Sequence, residues 1–167
     1  MLNPPMNQEI ERKFLISSDA WRAEATQRLS IRQGYLTSDA LRSVRVRAVG
    51  DAGYLTIKAK PARGGAPGGP IARAEFEYAI PRADADALLD TLCDQPLIEK
   101  TRHLVPHAGH VWEIDEFAGA NAGLIVAEIE LTSSDQAIAL PAWIGREVSS
   151  DPRYFNSALA KRPFSQW

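Results

Sequence analysis

The chain has 167 residues, 45% of them apolar and 24% charged, with a formal net charge of -2. That is enough to close one core, since a domain of about 150 residues buries roughly 68–70% of the surface its unfolded chain exposes, so extensive disorder is excluded. The near-zero charge argues against a nucleic-acid-coating surface, the single Cys93 excludes an internal disulfide and fits a reducing cytoplasm, and no stretch approaches the roughly 20 apolar residues that span a bilayer.

Residues 1–7 have neither the positive start nor the apolar run of a signal peptide, and they read as a flexible lead-in to a single domain over 8–167. Over 9–15 polar and apolar side chains alternate with period two, which predicts a strand with one polar and one buried face. Ser18 is placed to cap a short helix over 19–27, with Trp21 and Ala25 on one face. A second strand starts near Ile31 and passes through Tyr35, and three more are predicted over 43–48, 54–60 and 73–80. Gly50-Asp51-Ala52-Gly53 supplies hairpin glycines between two of them. The Gly- and Pro-rich stretch 64–70 reads as a loop, without the Gly-Lys-Ser/Thr ending of a phosphate-cradling loop.

An amphipathic helix is predicted over 81–93 from the spacing of Ala85, Leu88, Leu89 and Leu92, with Cys93 as a small residue on its apolar side. Strand patterns return over 98–105, 111–117 and 123–131, and Asp151-Pro152 opens a last helix over 153–161 that stops at Pro163. His103, His107 and His110 lie close together without a Cys partner and read as surface or rim residues, not zinc ligands. Trp143 and Trp167 read as packing or tail contacts.

The polar faces of these strands carry the functional signal. Residues two apart share a face, which groups Glu9, Glu11 and Lys13; Arg45 and Arg47; Lys58 and Lys60; Arg73, Glu75 and Glu77; Lys100 and Arg102; Glu113 and Asp115; and Glu128 and Glu130. A solvated face mixes neutral polar residues with its charges, and here those are scarce. If helices cover the apolar faces, the charged faces line the inside of an eight-stranded barrel, whose interior is wide enough for one small ligand. Ionised groups in an interior only roughly break even when paired, so such a lining calls for a ligand. Arginines suit phosphate oxygens, and carboxylates tolerate a polyanion when a hard divalent cation lies between them. The combination points to a metal-bound polyphosphate.

At Glu9-Ile10-Glu11-Arg12-Lys13 the chain resembles the CYTH, or triphosphate tunnel metalloenzyme, superfamily, whose opening signature is Glu-x-Glu-x-Lys. The resemblance continues in order through Arg45-Val46-Arg47, Leu55-Thr56-Ile57-Lys58, Glu75-Phe76-Glu77, Lys100-Thr101-Arg102, Glu128-Ile129-Glu130-Leu131 and Asp151-Pro152-Arg153-Tyr154-x-Asn156, covering most of the chain. It implies an α+β fold: a closed eight-stranded antiparallel β-barrel with flanking helices. It also implies a cytoplasmic enzyme, monomeric or homodimeric, that hydrolyses inorganic tripolyphosphate or a related small triphosphate with Mg²⁺ or Mn²⁺, engaging neither nucleic acid nor membrane. An adenylate cyclase of the class IV type and a non-catalytic polyphosphate or nucleotide-triphosphate sensor stay open as alternatives.

By the same resemblance Glu11, Glu128 and Glu130 hold the first metal, with Glu9, Glu77 or Asp115 placing a second metal or the attacking water. Arg45, Arg47, Lys58, Arg73, Lys100 and Arg102 hold the phosphate chain. Glu11 and Glu130 join Lys13 and Tyr35 as the catalytic set, the lysine lowering the phenol's proton affinity or helping it position water; from the residues alone Tyr35 reads equally as a tyrosine capping the barrel rim with a satisfied hydroxyl. Lys13→Ala is expected to reduce turnover more than substrate binding, as read by turnover kinetics beside direct titration of the substrate; equal loss in both would count against a chemical role.

Overall fold

The computed structural model describes residues 8–59 and 71–167, so the lead-in 1–7, Lys60 and the stretch 64–70 lie outside the described residues. In chain order the elements are β1 (Gln8–Ile16), β2 (Gln27–Ser38), β3 (Arg42–Val49), β4 (Ala52–Ala59), β5 (Ile71–Ile80), α1 (Arg82–Thr91), β6 (Ile98–His107), β7 (His110–Phe117), β8 (Ile125–Glu130), β9 (Ile144–Glu147) and α2 (Asn156–Lys161). Neighbouring strands follow the order β5-β4-β3-β2-β6-β7-β8-β1-β9, and a further pairing of β5 with β1 joins the ends. The result is a closed antiparallel barrel of eight strands.

Closure depends on how β1 divides its two edges. One edge pairs with β8, Glu11 opposite Glu130 and Lys13 opposite Glu128. The other is shared, with β5 along Gln8–Glu11 and β9 at Phe14 and Ile16. The four-residue β9 escapes a periodicity reading because it is too short to display one.

Alternation then sorts the side chains. Outward residues of β1, β6, β7 and β8 form a core with Phe14, Val105, Trp112, Ile114, Ala127 and Ile129, covered by Trp21 and Trp143. On the far side α1 sets Ala85 and Leu89 against Val46 and Ala48 of β3. Inward residues at one end of the barrel, among them Ile98, Phe117 and Val126, pack with Tyr154 and Leu159 and plug the lumen there. Most of the remaining inward positions are charged, with Gln33, Tyr35, Ser43 and Thr56 as neutral polar ones among them.

Four expectations change. The helix over 19–27 shrinks to a 3₁₀ turn, Asp19–Ala23, because Thr26 N already donates to Leu104 O and commits the chain to β2. The last helix splits into a 3₁₀ turn, Pro152–Tyr154, and α2, separated by Phe155 in an extended conformation. Helices cover only part of the outer surface: Trp21 and Trp143 cover another part, while Ile57, Phe76 and Tyr78 on β4 and β5 stay exposed. His103 is 1% exposed, not at a rim. It packs edge-on against Trp21 at 4.9 Å between ring centroids, and its Nε2 lies 3.3 Å from Glu116.

Gly34 on β2 explains the small residue at Cys93. A Cβ added there would lie 2.7 Å from both Cys93 Cβ and Leu97 Cδ2, closer than packed carbons approach. Gly34→Ala is expected to destabilise the fold by about 1–3 kcal/mol, the range for overpacking a well-filled core, as measured by chemical denaturation.

Candidate active site

The barrel encloses a cavity of about 310 Å³ into which β1, β2, β3, β4, β5, β6, β7 and β8 all contribute side chains. Of the residues expected there, Glu9, Glu11, Lys13, Tyr35, Arg45, Arg47, Lys58, Arg73, Glu77, Arg102, Glu128 and Glu130 line it, joined by Glu75 and Glu113. Lys100 and Asp115 do not. Asp115 is 0% exposed, its carboxylate accepting from Lys100 Nζ, from Arg102 Nε at 2.7 Å and from the Arg102 terminal nitrogen at 2.8 Å. This buried pair faces inward below the cavity, on the side of the apolar plug, where Lys100 Nζ lies 5.5 Å from the Phe117 ring, and it holds Arg102 from that side.

Opposite charges are interleaved by strand register. Lys13 Nζ donates to Glu128 and lies 3.3 Å from Glu11. Arg73 donates to Glu9 at 2.9 Å and Glu11 at 2.7 Å, and Lys58 Nζ donates to both oxygens of Glu9 at 2.7 Å. Arg102 also donates to Glu113 and, at 3.1 Å, to Glu128. On the other side Glu77 accepts from Thr56 Oγ1 at 2.8 Å and serves both Arg45 and Arg47 at 3.2–3.4 Å.

These pairings are uneven, and the titration of the groups registers it. Burial opposes the charge of Lys13, but Glu11 and Glu128 outweigh it and raise its pKa; burial likewise opposes Arg73 and Arg102, whose carboxylate partners prevail. For Arg47 and Lys58 burial wins, aided by repulsion from Arg45, and both pKa values fall. Among the carboxylates, burial raises Glu128 but Lys13 and Arg102 hold it well below the usual range. Glu130 is raised by burial and by the charges of Glu9 and Glu11, Glu113 by burial with Glu128 and Asp115 adding to it, and Glu75 by burial with Glu9 adding to it. Glu130 has no hydrogen-bond or ion-pair partner among the described residues.

The wall of β3 and β4 is least satisfied at Arg47, whose contacts to Glu77 run at 3.2 and 3.4 Å, and the wall of β7 and β8 at Glu130, whereas Lys58 is held by Glu9 and Glu75 and Glu113 by Arg102. Two strands separate these walls in either direction around the barrel, so they face each other across the cavity. Among the described residues no three carboxylate, imidazole or thiol groups are gathered closely enough to hold a metal ion as they stand. The donor chemistry nevertheless suits a hard divalent cation, for Glu130 faces Glu9 and Glu11 with nothing positive bonded to it.

Tyr35 lines the cavity, but its pKa moves opposite to expectation: burial raises it, and Arg45, Arg73 and Lys13 offset this only in part. Thr56, Gln33, Phe155 and Asn156 received no role from sequence reasoning, although Gln33 is two residues before Tyr35 and so shares its inward face.

The fold is a closed antiparallel barrel whose lumen is lined by ion-paired groups of both signs. The chain matches the CYTH domain along residues 7–162 and belongs to that family. It is 47% identical over 162 residues to an inorganic triphosphatase of Acetivibrio thermocellus, covering 97% of this chain and 99% of that one. It is 35% identical over 158 residues to an inorganic triphosphatase of Nitrosomonas europaea, covering 91% and 96%. A solved structure of an inorganic triphosphatase aligns with a TM-score of 0.63 at 33% identity, over 91% of this chain and 93% of that one. A putative adenylyl cyclase from Hippeastrum, described as having a dominant triphosphatase activity, aligns at 0.58 and 15% identity over 75% and 80%, a likeness of fold alone. Among the described residues no helix is long and apolar enough to cross a membrane.

Glu9 generates a pH prediction. Burial would raise its pKa, but Lys58 and Arg73 outweigh that and hold it at about 2 instead of the ordinary 4.5. The resulting stability is present in full above the unfolded-state value and is lost as the pH falls toward the folded one, because the unfolded chain binds the extra proton in between. Urea unfolding from about pH 6 down to about pH 3 is expected to show a steeper loss for the native protein than for Glu9→Gln.

Proposed function

We propose that the protein hydrolyses inorganic tripolyphosphate, or a closely related small triphosphate, inside the barrel with a divalent cation. The observation that carries this reading is that Arg47, held only by long contacts to Glu77, and Glu130, without an ion-pair partner among the described residues, stand on opposite sides of the barrel. Near-full-length similarity to two proteins named inorganic triphosphatases supports it.

Glu11, Glu128 and Glu130 would hold the cation, with Glu9 beside them. When bound, Mg²⁺ or Mn²⁺ neutralises phosphate charge and lowers the pKa of a water for in-line attack on a terminal phosphorus. Arg45, Arg47, Lys58 and Arg73 take the phosphate oxygens, and Arg102 stabilises charge that develops on the leaving group. Lys13, held charged between two carboxylates, supplies a fixed positive charge and has no free pair with which to act as a base. With its pKa raised, Tyr35 serves as a neutral hydroxyl that donates to a phosphate oxygen or orients water.

Three expected roles shift. Asp115 and Lys100 are positioning residues that lock Arg102, since neither reaches the cavity. Glu77 fits the part of a resident anion that substrate displaces from Arg45 and Arg47, because its partners are the cations of the phosphate wall.

Incubating the purified protein with Mg²⁺ or Mn²⁺ and tripolyphosphate, ATP, thiamine triphosphate or pyrophosphate is expected to release orthophosphate from tripolyphosphate, with little from pyrophosphate. Cyclic AMP with pyrophosphate from ATP would select a cyclase, and no turnover across the panel would select a sensor. Two variants separate the carboxylates. Glu130→Gln is expected to lower kcat/KM by about two orders of magnitude and raise the metal concentration needed for half-maximal rate, with stability held. Asp115→Asn is expected to cost about 3–5 kcal/mol of stability by stranding buried cations, with the metal requirement of the folded fraction unchanged.

A further inference from the structure

Buried polar atoms in folded proteins nearly always have partners, so unmet ones call for an explanation. Among the described residues the lumen contains five: the donors Arg45 Nε, Arg47 Nε and Gln33 Nε2, and the acceptors Gln33 Oε1 and Asn156 Oδ1. Gln33 stands out, being 0% exposed with both ends of its carboxamide unengaged. Register explains its location. On β2 it is the cross-strand neighbour of Arg47 on β3 and of Ile98 on β6. It therefore stands where the charged lining meets the apolar plug, its Cβ about 4.5–5.5 Å from that of Arg47. Asn156 begins α2, which packs on β2 as well, and it lines the cavity.

Arg47 is weakly committed to its present partner. It reaches Glu77 through contacts of 3.2 and 3.4 Å, and Arg45 shares the same carboxylate at 3.4 Å. Charge-assisted bonds of this type normally run at about 2.7–2.9 Å. A phosphate entering the lumen competes with Glu77 for the same guanidinium and carries more charge. Register sets the Gln33 side chain beside Arg47, whose Nε–H is unmet.

We propose that Gln33 is a positioning residue for substrate-bound Arg47: Gln33 Oε1 accepts from Arg47 Nε–H when the guanidinium exchanges Glu77 for a substrate phosphate, and Gln33 Nε2–H donates to Asn156 Oδ1. Two hydrogen bonds then satisfy four of the five unmet atoms. The fifth, Arg45 Nε–H, is left to donate to phosphate. The inference rests on the triphosphate reading above and adds to it a residue that sets affinity without touching substrate.

Met is similar to Gln in length and has no amide, so Gln33→Met removes the buried carboxamide. The relay predicts a melting temperature held or raised, a KM for tripolyphosphate raised about tenfold, on the scale of a hydrogen bond to a charged group, and a kcat altered by less than about threefold. Lys has no Nε–H donor at the guanidinium position, so in an Arg47→Lys background the same change should add nothing further. A KM for Gln33→Met within about twofold of the native value, or an equal loss in both backgrounds, overturns the relay. Should Gln33→Met fail to fold, Asn156→Leu removes the terminal acceptor. It is expected to raise KM beside Arg47 but not in the Arg47→Lys background, and an equal effect in both overturns the proposal. Calorimetric titration of the four proteins of the cycle with tripolyphosphate separates the two levels of inference. A native protein that binds without hydrolysis refutes the hydrolase reading while the cycle in Kd still decides the relay, and a native protein that does not bind overturns both.

Discussion

The arrangement rests on the antiparallel register that sets carboxylates beside guanidinium and ammonium groups inside a closed barrel. Isolated charges in such a space would be prohibitive, and even pairs only roughly break even against solvation. The lumen persists because strand pairing fixes the partners: Lys13 opposite Glu128 across β1 and β8, Arg102 opposite Asp115 across β6 and β7, Lys58 opposite Glu75 across β4 and β5. Trp21, Trp143, α1 and the plug around Leu159 supply apolar burial outside and at one end, so the charged layer need not itself stabilise the fold.

That lining is nearly neutral as a whole and unbalanced in detail. Fully partnered groups, such as Asp115 below the cavity, act as scaffold. Under-partnered ones, Arg47 on one side and Glu130 on the other, mark where a guest charge gains most. A triphosphate with a divalent cation supplies both signs at once. The carboxylate of Glu77 and the amide of Gln33 then serve as partners for the same arginine in the free and bound states.

Legibility in the sequence followed physical range. Period-two alternation is local, so the strands and the inward set from Glu9 to Glu130 could be read directly, and the signature of β1 led to the family. Features that depend on distant chain segments could not. β9 is a strand because β1 has a free half-edge. His103 is buried because Trp21 arrives over it, and the helix after Asp19 is cut short because β6 captures Thr26. Gln33 was visible as an inward residue, but only its neighbours reveal that its amide lacks a partner.

The sequence by itself determined which residues face inward and that they bear both signs of charge, because the pleat of a strand assigns faces without reference to any other segment. Only the tertiary structure decided which charges satisfy one another. Curvature and closure bring β8 and β5 to the same strand, and burial then makes each side chain's proton affinity depend on whichever opposite charge lies within reach. For that reason Asp115 and Glu130, indistinguishable as inward carboxylates in the sequence, part company in the fold: one is fixed between two cations below the cavity, and the other faces the cavity without a cation.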